Sequence, residues 1–255
     1  MRNYANPSNF LRLVGALVPG LAALTGALFC LGLYLALFVA PPDYQQGESV
    51  RIMYLHVPAA WMSMFVYATM TSAAIGSLVW RHPLADAAQK AAAPLGAGFT
   101  FLCLVTGSLW GKPMWGAWWV WDARLTSVLV LFLIYLALIA LWRTIEDPGK
   151  AARGAAIFTL VGAVNIPIIK FSVDWWNTLH QPASVMRMGG SAIAPSMLWP
   201  LVAMALAFAA LFLTLHLAAI RNEILRRRLR RLAILTADSE RGEAAPAGAF
   251  LGGAR

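Results

Sequence analysis

Apolar runs of near-membrane length recur six times along this chain, at Leu13 to Ala40, Val57 to Trp80, Ala91 to Leu109, Leu125 to Trp142, Gly154 to Phe171 and Pro195 to Ile220. A helix needs roughly 20 apolar residues to cross a hydrocarbon core of about 30 Å. In hydrocarbon every backbone polar group must be paired within the protein; unbroken runs do this as helices, whereas a membrane β-barrel alternates apolar and polar residues. The pattern predicts an all-α integral membrane protein with six transmembrane helices. Composition agrees: of 255 residues 60% are hydrophobic and only 12% charged, about half the charge of an ordinary soluble domain. The first run is too long for a signal-peptide core and has no convincing cleavage site before Pro41, so it reads as an uncleaved first helix. Residues 1–235 form one predicted six-helix domain. From Thr236 to Arg255 the sequence is small and polar and is expected to be disordered.

A net charge of +9 raises the question of nucleic acid, but the basic residues lie between and after apolar runs and not on a soluble domain. Topology accounts for them better. With the N-terminus inside, fifteen of the twenty lysines and arginines fall on the inner side, eight of them after Ile220. Arg51, Lys112, Arg124, Lys170 and Arg187 remain outside, and the bias places both termini in the cytoplasm. The stretch after Ile220 carries Arg221, Arg226, Arg227, Arg228, Arg230 and Arg231 beside an apolar face of Ile220, Ile224, Leu225, Leu229 and Leu232, the pattern of a helix lying on an anionic inner leaflet. Cys30 and Cys103 sit in separate apolar runs and read as ordinary buried residues, with no CxxC motif and no covalent c-type haem site.

Tryptophan is unevenly placed. Nine of the eleven gather at or near the outer helix ends, and Trp110, Trp115, Trp118, Trp119 and Trp121 fall within twelve residues of the loop between the third and fourth helices. An aromatic belt populates both interfaces. Flat indole faces bury well against a planar apolar ligand, although on composition alone an interfacial anchor explains this loop equally well. Gly111, Pro113 and Gly116 are expected to break the helix, leaving residues 110–126 as a loop along the outer surface.

Two of the four histidines fall in the other outer loops, in matched settings: His56-Val57-Pro58 and His180-Gln181-Pro182. Neutral imidazoles are common axial ligands of haem iron, and aromatic walls cover a porphyrin. The pair flanking a tryptophan platform therefore points to a haem site, with His56 and His180 as metal ligands. Trp115, Trp118, Trp119, Trp121, Asp122, Arg124, Arg51 and Arg187 are the candidate cofactor-contacting residues, the arginines as partners of the propionates. For Asp122 an N-cap role stands beside direct contact with ligand or partner. His82 and His216 read as structural, with His216 kept as a minor in-span candidate. Asn165, Pro167 and Lys170 interrupt the fifth helix, as a kink or a polar pocket. No catalytic residue is assigned.

The stretch Trp115-Gly116-Ala117-Trp118-Trp119-Val120-Trp121-Asp122-Ala123-Arg124-Leu125-Thr126 resembles the WWD signature of the haem-handling family. With six spans, one histidine in each flanking outer loop and a short basic tail, the chain from Leu13 to about Leu232 is similar to the CcmC branch, haem exporter protein C of cytochrome c maturation. The resemblance implies a haem-transfer protein of the bacterial inner membrane that holds haem b as non-covalent cargo at the periplasmic face. It implies axial ligation by His56 and His180, with the WWD loop against the porphyrin edge. It also implies delivery to the periplasmic chaperone CcmE beside the ABC-type ATPase and permease CcmA and CcmB and the small subunit CcmD. The chain itself has no G-x-x-x-x-G-K-[ST] motif for ATP. Alternatives are a b-type haem electron-transfer protein and a permease subunit of a haem transporter; length argues against the larger WWD haem ligases.

Overall fold

The structure is a computed structural model that describes residues 7–182, 184–185 and 187–243. Seven α-helices follow in order: α1 Pro7–Tyr34, α2 Met53–Trp80, α3 Pro83–Trp115, α4 Ala123–Thr144, α5 Pro148–Gly162, α6 Asn165–Trp175 and α7 Pro195–Glu243. A π-helical turn, Leu35–Val39, prolongs α1, and a 3-10 turn, Glu48–Ile52, leads into α2. Taken as continuous segments, with α5 and α6 counted together, six are long and apolar enough to cross a membrane. No strand occurs among the described residues.

The fifth span is broken where the sequence suggested. Pro167 has no N–H to give the Ala163 carbonyl, which instead accepts from Ile166 at 3.1 Å. Asn165, buried at the break, donates through Nδ2 to the Ser127 carbonyl of α4 at 2.9 Å. The interruption is therefore a joint that fixes α6 against α4. Elsewhere buried hydroxyls tie the helices in pairs: Tyr135 donates to the Ser63 carbonyl at 2.8 Å, Tyr67 to the Thr159 carbonyl at 3.0 Å, and Thr25 meets Thr214 at 3.1 Å. In lipid such bonds are worth roughly 0.6–2 kcal/mol each.

Three boundaries depart from the sequence-based expectation. α3 does not stop near Leu109; it runs through Gly111 and Pro113 to Trp115, and its first half-turn is capped by His82, whose Nδ1 accepts from the Leu84 N–H at 3.3 Å. α2 begins at Met53, so His56 stands on a helix and not in a loop. α7 continues through Thr236 to Glu243, past the point where order was expected to end; residues 244–255 lie outside the described set. At 1.5 Å per residue its 49 residues make a rod of roughly 74 Å, more than twice a hydrocarbon core. Its basic stretch is not a separate surface helix: Ile220 and Ile224 are buried with Ala87 and Ala91 against Phe10 and Leu11, while Leu229 and Leu232 remain exposed. Glu223, also buried, takes hydrogen bonds from Lys90 and Arg227, each at 2.9 Å. His216 is buried too; its Nε2 lies 2.9 Å from the Ala88 carbonyl and its ring stacks on Phe212. Cys103 is buried as expected, but Cys30 is exposed on α1.

Candidate functional site

His56, Trp115, Trp119, Arg124 and His180 line one cavity at the tryptophan-rich end of the bundle. The empty space within it, open mouth included, is about 580 Å³. Its floor is the packed interior: Ala60, Met64, Leu104, Val128 and Ile169, from α2, α3, α4 and α6.

His56 enters from α2, and its setting is decided by α3. Its Nδ1 lies 3.1 Å from the Cys103 carbonyl and 3.1 Å from the Thr106 hydroxyl. A carbonyl only accepts, so Nδ1 carries the proton and Nε2 keeps its lone pair. Gly107 makes room, since a Cβ there would come within 2.8 Å of the imidazole Cε1. Trp110 closes the side edge-on, with ring centroids 5.7 Å apart, and its Nε1 donates to Gln46 at 3.0 Å.

The signature residues divide between helix and loop. Trp110 to Trp115 form the last turns of α3, contrary to the expected break at Gly111 and Pro113. The helix ends only at Gly116, whose φ of 74° is the left-handed cap that glycine adopts without strain. The Lys112 amine bonds the Gly116 carbonyl at 3.0 Å and lies over the Trp118 ring, and the Ser108 hydroxyl donates to the Trp118 carbonyl at 2.8 Å. Trp118 and Trp121 face outward, 55% and 75% exposed. Trp119 turns in, and its indole N–H is buried without a partner.

Asp122 takes the N-cap role, and its second oxygen turns to the loop that carries His180. Oδ1 caps α4, accepting from the Leu125 N–H at 2.7 Å; Oδ2 accepts from the Thr178 hydroxyl at 2.5 Å and lies 3.5 Å from His180 Nδ1. Burial would raise its carboxyl pKa, but the Leu125 and Thr178 hydrogen bonds and the nearby His180 outweigh that and hold it below the ordinary value. His180 lies on the connection between α6 and α7, its N–H bonded to the Thr178 hydroxyl at 3.0 Å and its ring 4.9 Å from that of Trp115. Burial lowers its pKa against the opposing pull of Asp122. Arg124, in the first turn of α4, donates through Nε to Ser172 at 2.6 Å.

Not all expected residues converge. The Arg51 guanidinium bonds the Ala36 carbonyl and pairs with Glu48 at 2.5 Å, and the exposed Arg187 also stands outside the cavity. Cys103, Thr106, Gly107 and Ser172 were not anticipated. Inside an apolar run, or just past the end of one in the case of Ser172, they carry no pattern that marks them. Thr178 had a readable signal, a threonine two residues before the histidine whose N–H it binds, as in an ST-turn.

The donor set suits haem. It offers two imidazoles, indole walls, a buried unpaired N–H at Trp119 and a cation at Arg124. No group of three or more His, Cys, Asp or Glu that could hold a bare metal ion occurs among the described residues. Comparison with known proteins is decisive: the family profile described as heme exporter protein C matches residues 1–235. The chain belongs to the CcmC family. It is 66% identical over 233 residues to heme exporter protein C of Bradyrhizobium diazoefficiens, covering 91% of this chain and 88% of that one. Against heme exporter protein C of Escherichia coli K12 identity is 49% over 225 residues, 88% and 91% of the two chains. A mitochondrial ccmC-like protein of Marchantia polymorpha, named for cytochrome c biosynthesis, is 53% identical over 174 residues, covering 68% of this chain and 73% of that one.

Proposed function

We propose that this CcmC-family protein holds haem b as non-covalent cargo at the periplasmic face of the bacterial inner membrane and delivers it to the haem chaperone CcmE during cytochrome c maturation. The observation that carries the reading is the single cavity lined by both His56 and His180 together with Trp115, Trp119 and Arg124. His56 and His180 are the axial ligands, Trp115 and Trp119 wall the porphyrin, and Arg124 pairs with a propionate. Trp118 and Trp121, exposed beside the mouth, meet the lipid headgroups or the acceptor. Asp122 acts through the cap and through His180. Arg51 and Arg187, outside the cavity, receive no contact with haem in this proposal. The charge bias supports a cytoplasmic location for the basic end and for both termini. ATP chemistry falls to CcmA, with CcmB and CcmD completing the assembly.

Visible spectra and haem content of the purified protein test this reading, comparing wild type with His56→Ala and His180→Ala, with and without CcmE. Haem that depends on both histidines and accumulates on CcmE is the expected result. Unchanged haem content in both variants refutes the axial ligation. Haem that changes redox state without ever transferring identifies an electron-transfer protein instead.

A further inference from the structure

We infer that Asp122 is a positioning residue for His180, one that turns Nε2 of the imidazole into the cavity and makes His180 the stronger of the two axial donors. The inference rests on the proposal that His180 ligates haem iron. Asp122 is suited to the task because its two oxygens are committed differently. Oδ1 is held by the Leu125 N–H at 2.7 Å, which locks the carboxylate to the start of α4; Oδ2 faces the loop, receiving the Thr178 hydroxyl at 2.5 Å. The Thr178 oxygen in turn accepts the His180 N–H at 3.0 Å, so one carboxylate and one hydroxyl place the loop histidine relative to α4.

The ring completes the arrangement. His180 Nδ1 is buried with no hydrogen-bond partner, and Asp122 Oδ2 lies 3.5 Å from it. The Asp122 side chain is only 6% exposed, so water does not compete for it. Reaching the roughly 2.7–2.9 Å of a charge-assisted bond takes a movement of under about 1 Å. An ionised carboxylate can only accept; the nitrogen that faces it therefore carries the proton, and Nε2 is left with the lone pair. A carboxylate behind a ligating imidazole raises its basicity, and loss of such a partner typically lowers metal affinity about 10- to 100-fold. Behind His56 stands the neutral carbonyl of Cys103, 3.1 Å away. The two axial bonds are accordingly unequal, and haem stays with His180 when His56 lets go.

The test is Asp122→Asn, alone and combined with His56→Ala so that His180 is the sole protein ligand. Asparagine caps helices as well as aspartate does, so α4 keeps its start while the charge is removed. Against His56→Ala, the double variant is expected to retain haem about 10- to 100-fold less tightly and to shift the ferrous iron–histidine stretch in resonance Raman to lower wavenumber. An unchanged stretch overturns the inference. A second measurement needs no Asp122 variant: 15N spectra of histidine-labelled haem-free protein, with His180→Ala for assignment, report the tautomer. The Nδ1–H form is expected, and the Nε2–H form overturns the inference. Failure of the underlying reading looks different, because His180→Ala would then leave both haem content and spectrum as in the wild type.

Discussion

His56 and His180 reach the same cavity from structures of different kinds. His56 stands on α2, its ring set by a backbone carbonyl of α3, inside a helix pair packed along a membrane span. His180 stands on the connection between α6 and α7, held by the Thr178 hydroxyl, the Asp122 carboxylate and the Trp115 edge. Moving His56 means moving a span whose backbone polar groups have no water to turn to. Moving His180 means releasing side-chain contacts on a loop. A protein that must hold its cargo and then part with it is served by that asymmetry: the fixed wall sets the orientation, and the loop wall is the one free to move, with haem still on His180.

A large effect is expected where the fixed wall is struck directly. Gly107→Val places side-chain carbons against the His56 ring, which a Cβ alone would approach to 2.8 Å; overpacking of this sort costs about 1–3 kcal/mol. Haem content should fall to the level of His56→Ala, and full retention would mean that the wall is not rigid. Next, the two histidine variants should differ: His180→Ala is expected to retain haem about tenfold less tightly than His56→Ala, the lower end of the range for a carboxylate-backed ligand. Equal losses, read by haem titration, would erase the comparison.

A smaller effect belongs to Thr178→Val. It removes the hydroxyl that joins Asp122 to the His180 N–H, at about 1 kcal/mol for a typical hydrogen bond, and should appear as a several-fold faster dissociation of haem with the spectrum retained. Thr106→Val should do least. It removes one of the two oxygens near His56 Nδ1 while the Cys103 carbonyl stays in place, so the change in haem retention is expected to stay within about twofold, below the cost of losing a whole hydrogen bond. If Thr106→Val proves worse than Thr178→Val, the helix wall and not the loop is the weak side.

Much of this was legible in sequence, unequally by scale. Six spans could be counted because length and apolarity are local properties. The break in the fifth span could be placed because Pro167 lacks a donor wherever it sits. The expected loop at Trp110 to Trp115 was wrong for a related reason: Gly111 and Pro113 disfavour helix in water, yet at the end of a packed span the helix keeps its remaining bonds up to the left-handed Gly116. His56 was misassigned to a loop because the 3-10 turn Glu48–Ile52 feeds α2 earlier than the apolar run begins. Arg51 looked available for a propionate because sequence does not show that the Ala36 carbonyl, within the π-helical turn, would claim its guanidinium.

By itself the sequence determined an all-helical membrane chain, the tryptophan-rich end and the two histidines worth watching, since hydrophobic run length, motif spacing and charge bias are written residue by residue. Only the tertiary structure decided that Cys103, Thr106 and Gly107 stand behind His56, that Asp122 joins the start of α4 to Thr178 and His180, and that Trp119 turns inward while Trp121 turns out. Those facts depend on how each helix is rotated about its axis and where it crosses its neighbours. In a span apolar all round, the hydrophobic pattern is the same on every face and carries no record of that rotation.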